Sequence, residues 1–163
     1  MMRVHVEFER GTDFRLTEAE LLSRGFGPSP EFGAFVADRA QSNAPADLVG
    51  MAVYYEIPFM HTLRPYLMLK WLHVDPKARG IRIGEQLMRA LASHAVETGH
   101  DQISWFVLPD NVRAQSFYQR LGASEDPKWK RWTLPPSSLR KLSSVQLSSS
   151  VFHEDSASDT DLD

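Results

Sequence analysis

The chain has no cysteine, and that absence excludes a disulfide framework and cysteine nucleophile chemistry together. It is compatible with a reducing cytosol. Long apolar runs are missing too: none approaches the length of a membrane span, and Met1 to Arg10 has neither the apolar core nor the small-residue cleavage pattern of a signal peptide. The chain therefore reads as soluble and cytoplasmic, with no membrane partner. An excess of one charge is also lacking. The net charge is −3, but five of the 21 acids lie after Leu142 in a tail without Lys or Arg, so the body carries 18 basic against 16 acidic residues. That is too small an excess to argue for nucleic acid, yet it leaves cations for a phosphate-bearing ligand. No G-x-G-x-x-G occurs, which ranks dinucleotide binding low. No metal site is expected.

What is present is one domain's worth of residues, 163, with clear periodicity. Val4, Val6 and Phe8 alternate like a short strand. Thr17 followed by Glu20 forms a capping-box pattern, predicting a helix from Thr17 to Arg24 with Gly25 as its stop. Phe32–Ala37 and Leu48–Ile57 read as an antiparallel hairpin, and Tyr66–Val74 as a third strand. In that strand Leu67, Leu69 and Trp71 would share one face, and Met68, Lys70, Leu72 and Val74 the other, with Lys70 the odd member. Ile83 to about Thr98 carries an apolar stripe of Gly84, Leu87, Met88, Leu91 and Ala95 and is closed by Gly99. Ile103–Leu108 is almost wholly apolar, as expected of a strand buried on both faces and reached by a crossover helix. A helix capped by Asp110 or Asn111 would run to Leu121, with Gly122 at its C-terminus, and Trp129–Leu134 would supply a last strand before Pro135 and Pro136. Residues 1–142 read as a single domain, and 143–163, with seven serines and five acids, as a disordered acidic tail.

Two motifs carry chemistry. The turn Leu72-His73-Val74-Asp75-Pro76-Lys77-Ala78-Arg79-Gly80-Ile81-Arg82-Ile83-Gly84 leads from a strand into a helix whose first N–H groups have no intrahelical partners. Its arginines and glycines suit an anion cradle, or equally an ordinary connection. In Asn111-Val112-Arg113-Ala114-Gln115-Ser116-Phe117-Tyr118, helical spacing puts Asn111, Ala114 and Tyr118 along one face, so an amide and a phenol are presented together.

In order, and with a strand between them, these motifs resemble those of the GNAT superfamily of acyl-CoA N-acyltransferases. Arg79-Gly80-Ile81-Arg82-Ile83-Gly84 resembles the family's R/Q-x-x-G-x-G/A loop, and Asn111 to Ala123 its Asn-to-Tyr helix. More narrowly, Leu16–Leu22 with Gly25-Phe26-Gly27, Val49–Tyr55 and Phe117–Ser124 are similar to the diamine (spermidine/spermine) acetyltransferases. The resemblance implies an α/β fold with a splayed mixed sheet flanked by helices. It implies acetyl-CoA as cosubstrate, held by Leu72, His73, Val74, Arg79, Gly80, Ile81, Arg82, Ile83, Gly84, Glu85, Asn111, Ala114 and Phe117. It further implies acetyl transfer to a primary amine of a small molecule by direct attack, with Tyr118, of ordinary pKa near 10, protonating the leaving thiolate.

The match has departures. Arg82 replaces the loop's first glycine. Lys70 and Lys128 stand about where the diamine subgroup has acids, which removes the electrostatic basis for a polycation. Glu9 aligns with an acid beside the amine site; with Lys70 and Lys128 it completes the candidate substrate residues. The segment expected to precede Val6–Arg10 is absent, which on this reading makes the fold N-terminally shortened and Val4–Glu9 a helix stub instead of a strand. A second subunit could fill such an edge, and a homodimer is expected. His61, His73, Glu56, Glu9 or a water chain could serve as base. Two alternatives stand beside the enzyme reading: an acyl-CoA-binding regulatory module with weak or no catalysis, and a protein or peptide N-acetyltransferase.

Overall fold

The computed structural model describes residues 17–39, 47–58, 64–128 and 130–144. Its contacts divide the chain into two units, Met1–Ser124 and Glu125–Asp163. The reading of Val4–Glu9 lies outside the described residues, as does the tail from 145.

In the first unit, helix α1 (Glu18–Phe26) starts at the expected capping box. The Thr17 hydroxyl accepts from the Glu20 N–H at 3.2 Å, and the Thr17 N–H donates to the Glu20 carboxylate at 2.7 Å. These bonds from Thr17 hold the Glu20 carboxyl below its ordinary pKa. The helix runs two residues beyond Arg24, past the expected stop. Gly25 serves packing here: a Cβ on it would meet the Phe32 ring at 2.7 Å.

The sheet has the order β1-β2-β3-β4, with β1 (Gly33–Asp38), β2 (Leu48–Ile57) and β3 (Tyr66–Val74) antiparallel, and β4 parallel to β3. The hairpin and the third strand stand where the sequence places them. The faces of β3 do not. Val53 pairs with Trp71 and the next residue, Tyr54, with Leu69, so Lys70 is an extra residue bulged out of the ladder. The bulge reverses the alternation. Ala52 opposes Leu72 and Tyr54 opposes Leu69, so Leu72 and Val74 join Leu67 and Leu69 on one face, instead of opposing them as strict alternation predicts.

That face receives α2 (Ile83–Glu97). Ile83, Leu87, Met88, Leu91 and Ala95 are buried, and with Val49, Ala52, Leu67 and Leu69 they form the core. The helix approaches closely at Gly50, where a Cβ would meet Ile83 Cγ2 at 2.8 Å and Leu87 Cδ1 at 3.1 Å. Gly99, at φ 77°, ends the connection as expected.

Two expectations fail. Strand β4 is only Ile103–Ser104, opposite Leu67 and Met68, and Phe106 beyond it is 66% exposed. The ladder stops two residues before the bulge bends β3, so the apolar run after Ser104 has no strand to pair with. Trp105 still packs against the core. In the second unit, Lys130–Leu134 is not a strand; no ladder reaches it, and Trp132 is 91% exposed. Trp129 lies outside the described residues. Pro136, expected only to end a strand, begins a further helix, α4 (Pro136–Ser143), where a missing N–H costs nothing. Helix α3 (Val112–Arg120), in the first unit, precedes it in the chain.

Leu91 is fully buried, so Leu91→Ala should destabilise the protein by about 3 kcal/mol in urea unfolding. A loss below about 1 kcal/mol would mean that α2 is not seated on the sheet as described.

Candidate active site

The site begins where β3 and β4 part. Their ladder ends at Met68 opposite Ser104, and β3 continues from Leu69 to Val74 with a neighbour only on its β2 side. The Asp75 N–H turns towards β2, donating to the Val49 carbonyl at 2.9 Å. By the alternation of an antiparallel ladder, the backbone groups of His73 also face β2, and those of Leu72 and Val74 face the opening. Of the three β3 residues singled out in the sequence, two therefore present an unpaired edge. His73 is buried, on the opposite face of the sheet from Leu72 and Val74.

After β3 a short 3-10 turn, Pro76–Ala78, is capped by the Asp75 carboxylate, which accepts from the Lys77 N–H at 2.8 Å. Buried Ala78 pins this turn to the core. Arg79 folds back, its Nε donating to the Val74 carbonyl at 3.1 Å. It thus satisfies one edge group of β3 while keeping its cation at the mouth of the opening. Gly80 has φ 88° and open space around it. Arg82 is, among the described residues, the non-glycine residue with positive φ, at φ 64° and ψ 16°, and it caps α2 without a side-chain bond. Arg82 thus holds a left-handed backbone that glycine would adopt freely, and the arginine bears the strain.

Because the first intrahelical bond runs from the Gln86 N–H to the Arg82 carbonyl at 3.0 Å, the N–H groups of Ile83, Gly84 and Glu85 have no such partner. Ile83 itself is buried, but Ile81 and Arg82 are exposed beside this helix end. The one acid of this turn, Glu85, is tied to Arg89 at 2.8 Å, and that bond holds its carboxyl below the ordinary range. The ion pair offsets a charge that would repel an anion at the helix N-terminus.

Helix α3 closes the other side. The Asn111 carboxamide oxygen accepts from the Ala114 N–H at 3.1 Å, so Asn111 is the N-cap, and its NH2 group is not used in that bond. At the far end the Ala123 N–H donates to Tyr118 O at 3.1 Å and the Gly122 N–H to Gln119 O at 3.0 Å, a Schellman closure with Gly122 at φ 89°. Gly84 lies against α3: a Cβ on it would be 3.5 Å from Phe117 Cζ and 3.7 Å from Val74 Cγ2. Tyr118 is half-buried between Trp105, with ring centroids 4.7 Å apart, and Phe117, at 5.1 Å.

The structure thus brings Val74, Gly84 and Phe117 together, and Tyr118 to the place where β4 ends. Glu56 faces buried His100, 3.3 Å from its Nε2; Lys128 lies in the second unit, its N–H held by Asp126 at 2.9 Å; and Glu9 and His61 are outside the described residues. Two contributors escaped the sequence reading. Trp105 was taken only as part of a buried strand. Gln115 donates to the carbonyls of Leu108 and Pro109, at 3.2 and 2.9 Å, and so fixes the connection that aims α3. Its only signal was a polar residue one turn after the cap.

An edge left open by a parting sheet, an uncapped helix N-terminus flanked by arginines and an aromatic-clamped tyrosine define an acyltransferase-type site on a splayed mixed sheet. Residues 4–123 match the acetyltransferase (GNAT) family model, and the chain belongs to that family of enzymes. It is 30% identical over 151 residues to thialysine N-epsilon-acetyltransferase of Sus scrofa, covering 87% of each chain. It is 27% identical over 121 residues to spermidine/spermine N(1)-acetyltransferase-like protein 1 of Homo sapiens, covering 73% of this chain and 17% of that one. Among solved structures, an integron cassette protein from the V. cholerae mobile metagenome superposes with a TM-score of 0.67 at 25% identity, covering 88% of this chain and 89% of that one.

Arg82→Gly should raise stability by about 1 kcal/mol in urea unfolding, because glycine adopts this backbone without strain. Unchanged or lower stability would place the strain elsewhere.

Proposed function

We propose that this protein transfers an acetyl group from acetyl-CoA to a primary amine of a small molecule by direct attack, with Tyr118 as general acid. The observation that carries the reading is the parting of β3 from β4 after Met68 and Ser104, with the Tyr118 ring held by Trp105 at the same level.

The residues present fit acetyl-CoA. Leu72 and the Val74 N–H offer backbone groups that an extended amide chain can pair with, as another strand would. Gly80, the left-handed Arg82 and the uncapped N–H groups of Ile83, Gly84 and Glu85 suit a pyrophosphate, and Arg79 and Arg82 add charge to the amide cradle. The NH2 of Asn111 is a further donor on α3, where Ala114 and Phe117 supply the apolar wall. When bound, acetyl-CoA supplies the thioester and its leaving sulfur. Tyr118 holds a proton at its Oη for that sulfur, and the Trp105 and Phe117 rings keep the phenol in one orientation.

A neutral amine must be delivered. His73 is buried on the other face of the sheet and Glu56 faces His100, so neither suits the role of base; Glu9 and His61 lie outside the described residues, and this reading takes loss of the proton to water. Support for a small amine comes from the thialysine N-epsilon-acetyltransferase likeness, which spans most of both chains. The same reading places the protein in the cytoplasm as a homodimer. No helix among the described residues is long and apolar enough to cross a membrane.

Thiol release with acetyl-CoA across a panel of small amines tests the activity. Tyr118→Phe should lower kcat about a hundredfold or more while leaving KM for acetyl-CoA nearly unchanged. A full rate in that variant would remove Tyr118 from the mechanism. A thermal shift with CoA but no turnover on any amine or peptide would favour a binding module.

A further inference from the structure

Lys70 is the exposed residue of β3, and it is the one bulged out of register with β2. It stands two positions past Met68, the last residue of β3 paired with β4, so the opening starts beside it. On the other side Trp105 leaves β4 one position past Ser104 and carries the Tyr118 ring. The cation and the proposed acid therefore occupy the same end of the site, opposite the Arg79–Gly84 loop.

Among the described residues the Lys70 ammonium has a ring beside it. Its Nζ is 5.9 Å from the centroid of Trp71, and no carboxylate among the described residues pairs with it. Glu56 faces His100 Nε2 at 3.3 Å, and Asp101 bonds Arg64 at 3.1 Å. An exposed ammonium with no carboxylate partner among the described residues, at this end of the opening, repels a polycation and attracts an anion.

We infer that Lys70 determines acceptor specificity: its ammonium binds the carboxylate of an amino-acid acceptor while the side-chain amine of that acceptor reaches the acetyl group. The inference rests on the acetyl-transfer reading and deepens it, replacing "small amine" by an amine that carries a carboxylate. A diamine lacking the carboxylate loses that attraction, and its net positive charge is greater by one.

The test compares ornithine with 1,4-diaminobutane, and lysine with 1,5-diaminopentane, each pair differing by one carboxylate. Wild-type protein should favour the amino acid in kcat/KM by about tenfold or more, and the preference should shrink as salt is raised. Lys70→Met should bring the ratio close to one, and Lys70→Glu should invert it. KM for acetyl-CoA should not move in either variant, which separates a specificity role from a general loss of folding; Lys70→Met, which introduces no new charge, covers the case in which the glutamate variant fails to fold. Turnover without a carboxylate preference, or a preference that survives in Lys70→Met, overturns the inference and leaves acetyl transfer standing. Absence of turnover on every amine overturns the acetyl-transfer reading, and this inference with it.

Discussion

One extra residue in one strand sets the geometry of this molecule. With Lys70 bulged between Leu69 and Trp71, β3 changes the side to which its residues point half-way along its length. Before the bulge it is an inner strand, paired with β2 and β4. After it, β3 is an edge strand whose Leu72 and Val74 backbone groups meet no neighbour on the β4 side. An edge is ordinarily a liability, and here Arg79 covers one of its carbonyls. The same reversal keeps the core intact. Leu72 and Val74 pack on α2 only because the bulge returns them to the face already taken by Leu67 and Leu69.

The second constraint is how tightly α2 is pressed onto that face. Gly50 lets Ile83 and Leu87 come so close to β2 that any side chain there would force them away. Burying Leu87 and Leu91 contributes roughly 2 kcal/mol each, more than the cost of holding Arg82 in a left-handed conformation. Core packing thus fixes where the uncapped helix end points, and the loop before it takes whatever backbone is needed to arrive. Gly84 completes the arrangement by sitting against both Val74 and Phe117, so strand, helix and the tyrosine-bearing α3 meet at one residue.

Much of this was legible in the sequence, for identifiable reasons. Thr17 with Glu20, the stripe from Ile83 to Ala95, Asn111 and Gly122 are local signals, each resolved within a turn or two of helix, and each appears as read. Apart from the helix end at Gly25 and the helix that begins at Pro136, the failures are questions of pairing. The alternation in Tyr66–Val74 carries no mark of the bulge except a lysine among apolar residues. The apolar run at Ile103–Leu108 reads as a doubly buried strand because its composition records hydrophobic packing, which Trp105 does find, and says nothing of the neighbour it lacks after Ser104. Lys130–Leu134 fails in the same way. For the site, the loop and α3 were readable because their glycines and cap residues are set by backbone geometry, whereas the Trp105 clamp and the Gln115 stitch depend on which elements the fold brings together.

The substitutions in the loop and strand follow a common electrostatic logic. At one end of the opening Arg79 and Arg82 add charge to a helix N-terminus, and Arg89 neutralises Glu85, the acid of that turn. At the other end Lys70 stands where the parting begins, with Asp101 bonded to Arg64 and Glu56 facing His100. The strand between the two ends is apolar. A ligand laid along β3 therefore meets positive potential at both ends and a neutral backbone edge in the middle. Because Lys70 is exposed, its part of that field is damped by salt, within about 8 Å at physiological ionic strength. An acceptor with several amines and no acid would have to enter against it. One that pairs its amine with a carboxylate enters with its charge balanced, and the bulge that opens the sheet is also what sets the lysine at the entrance.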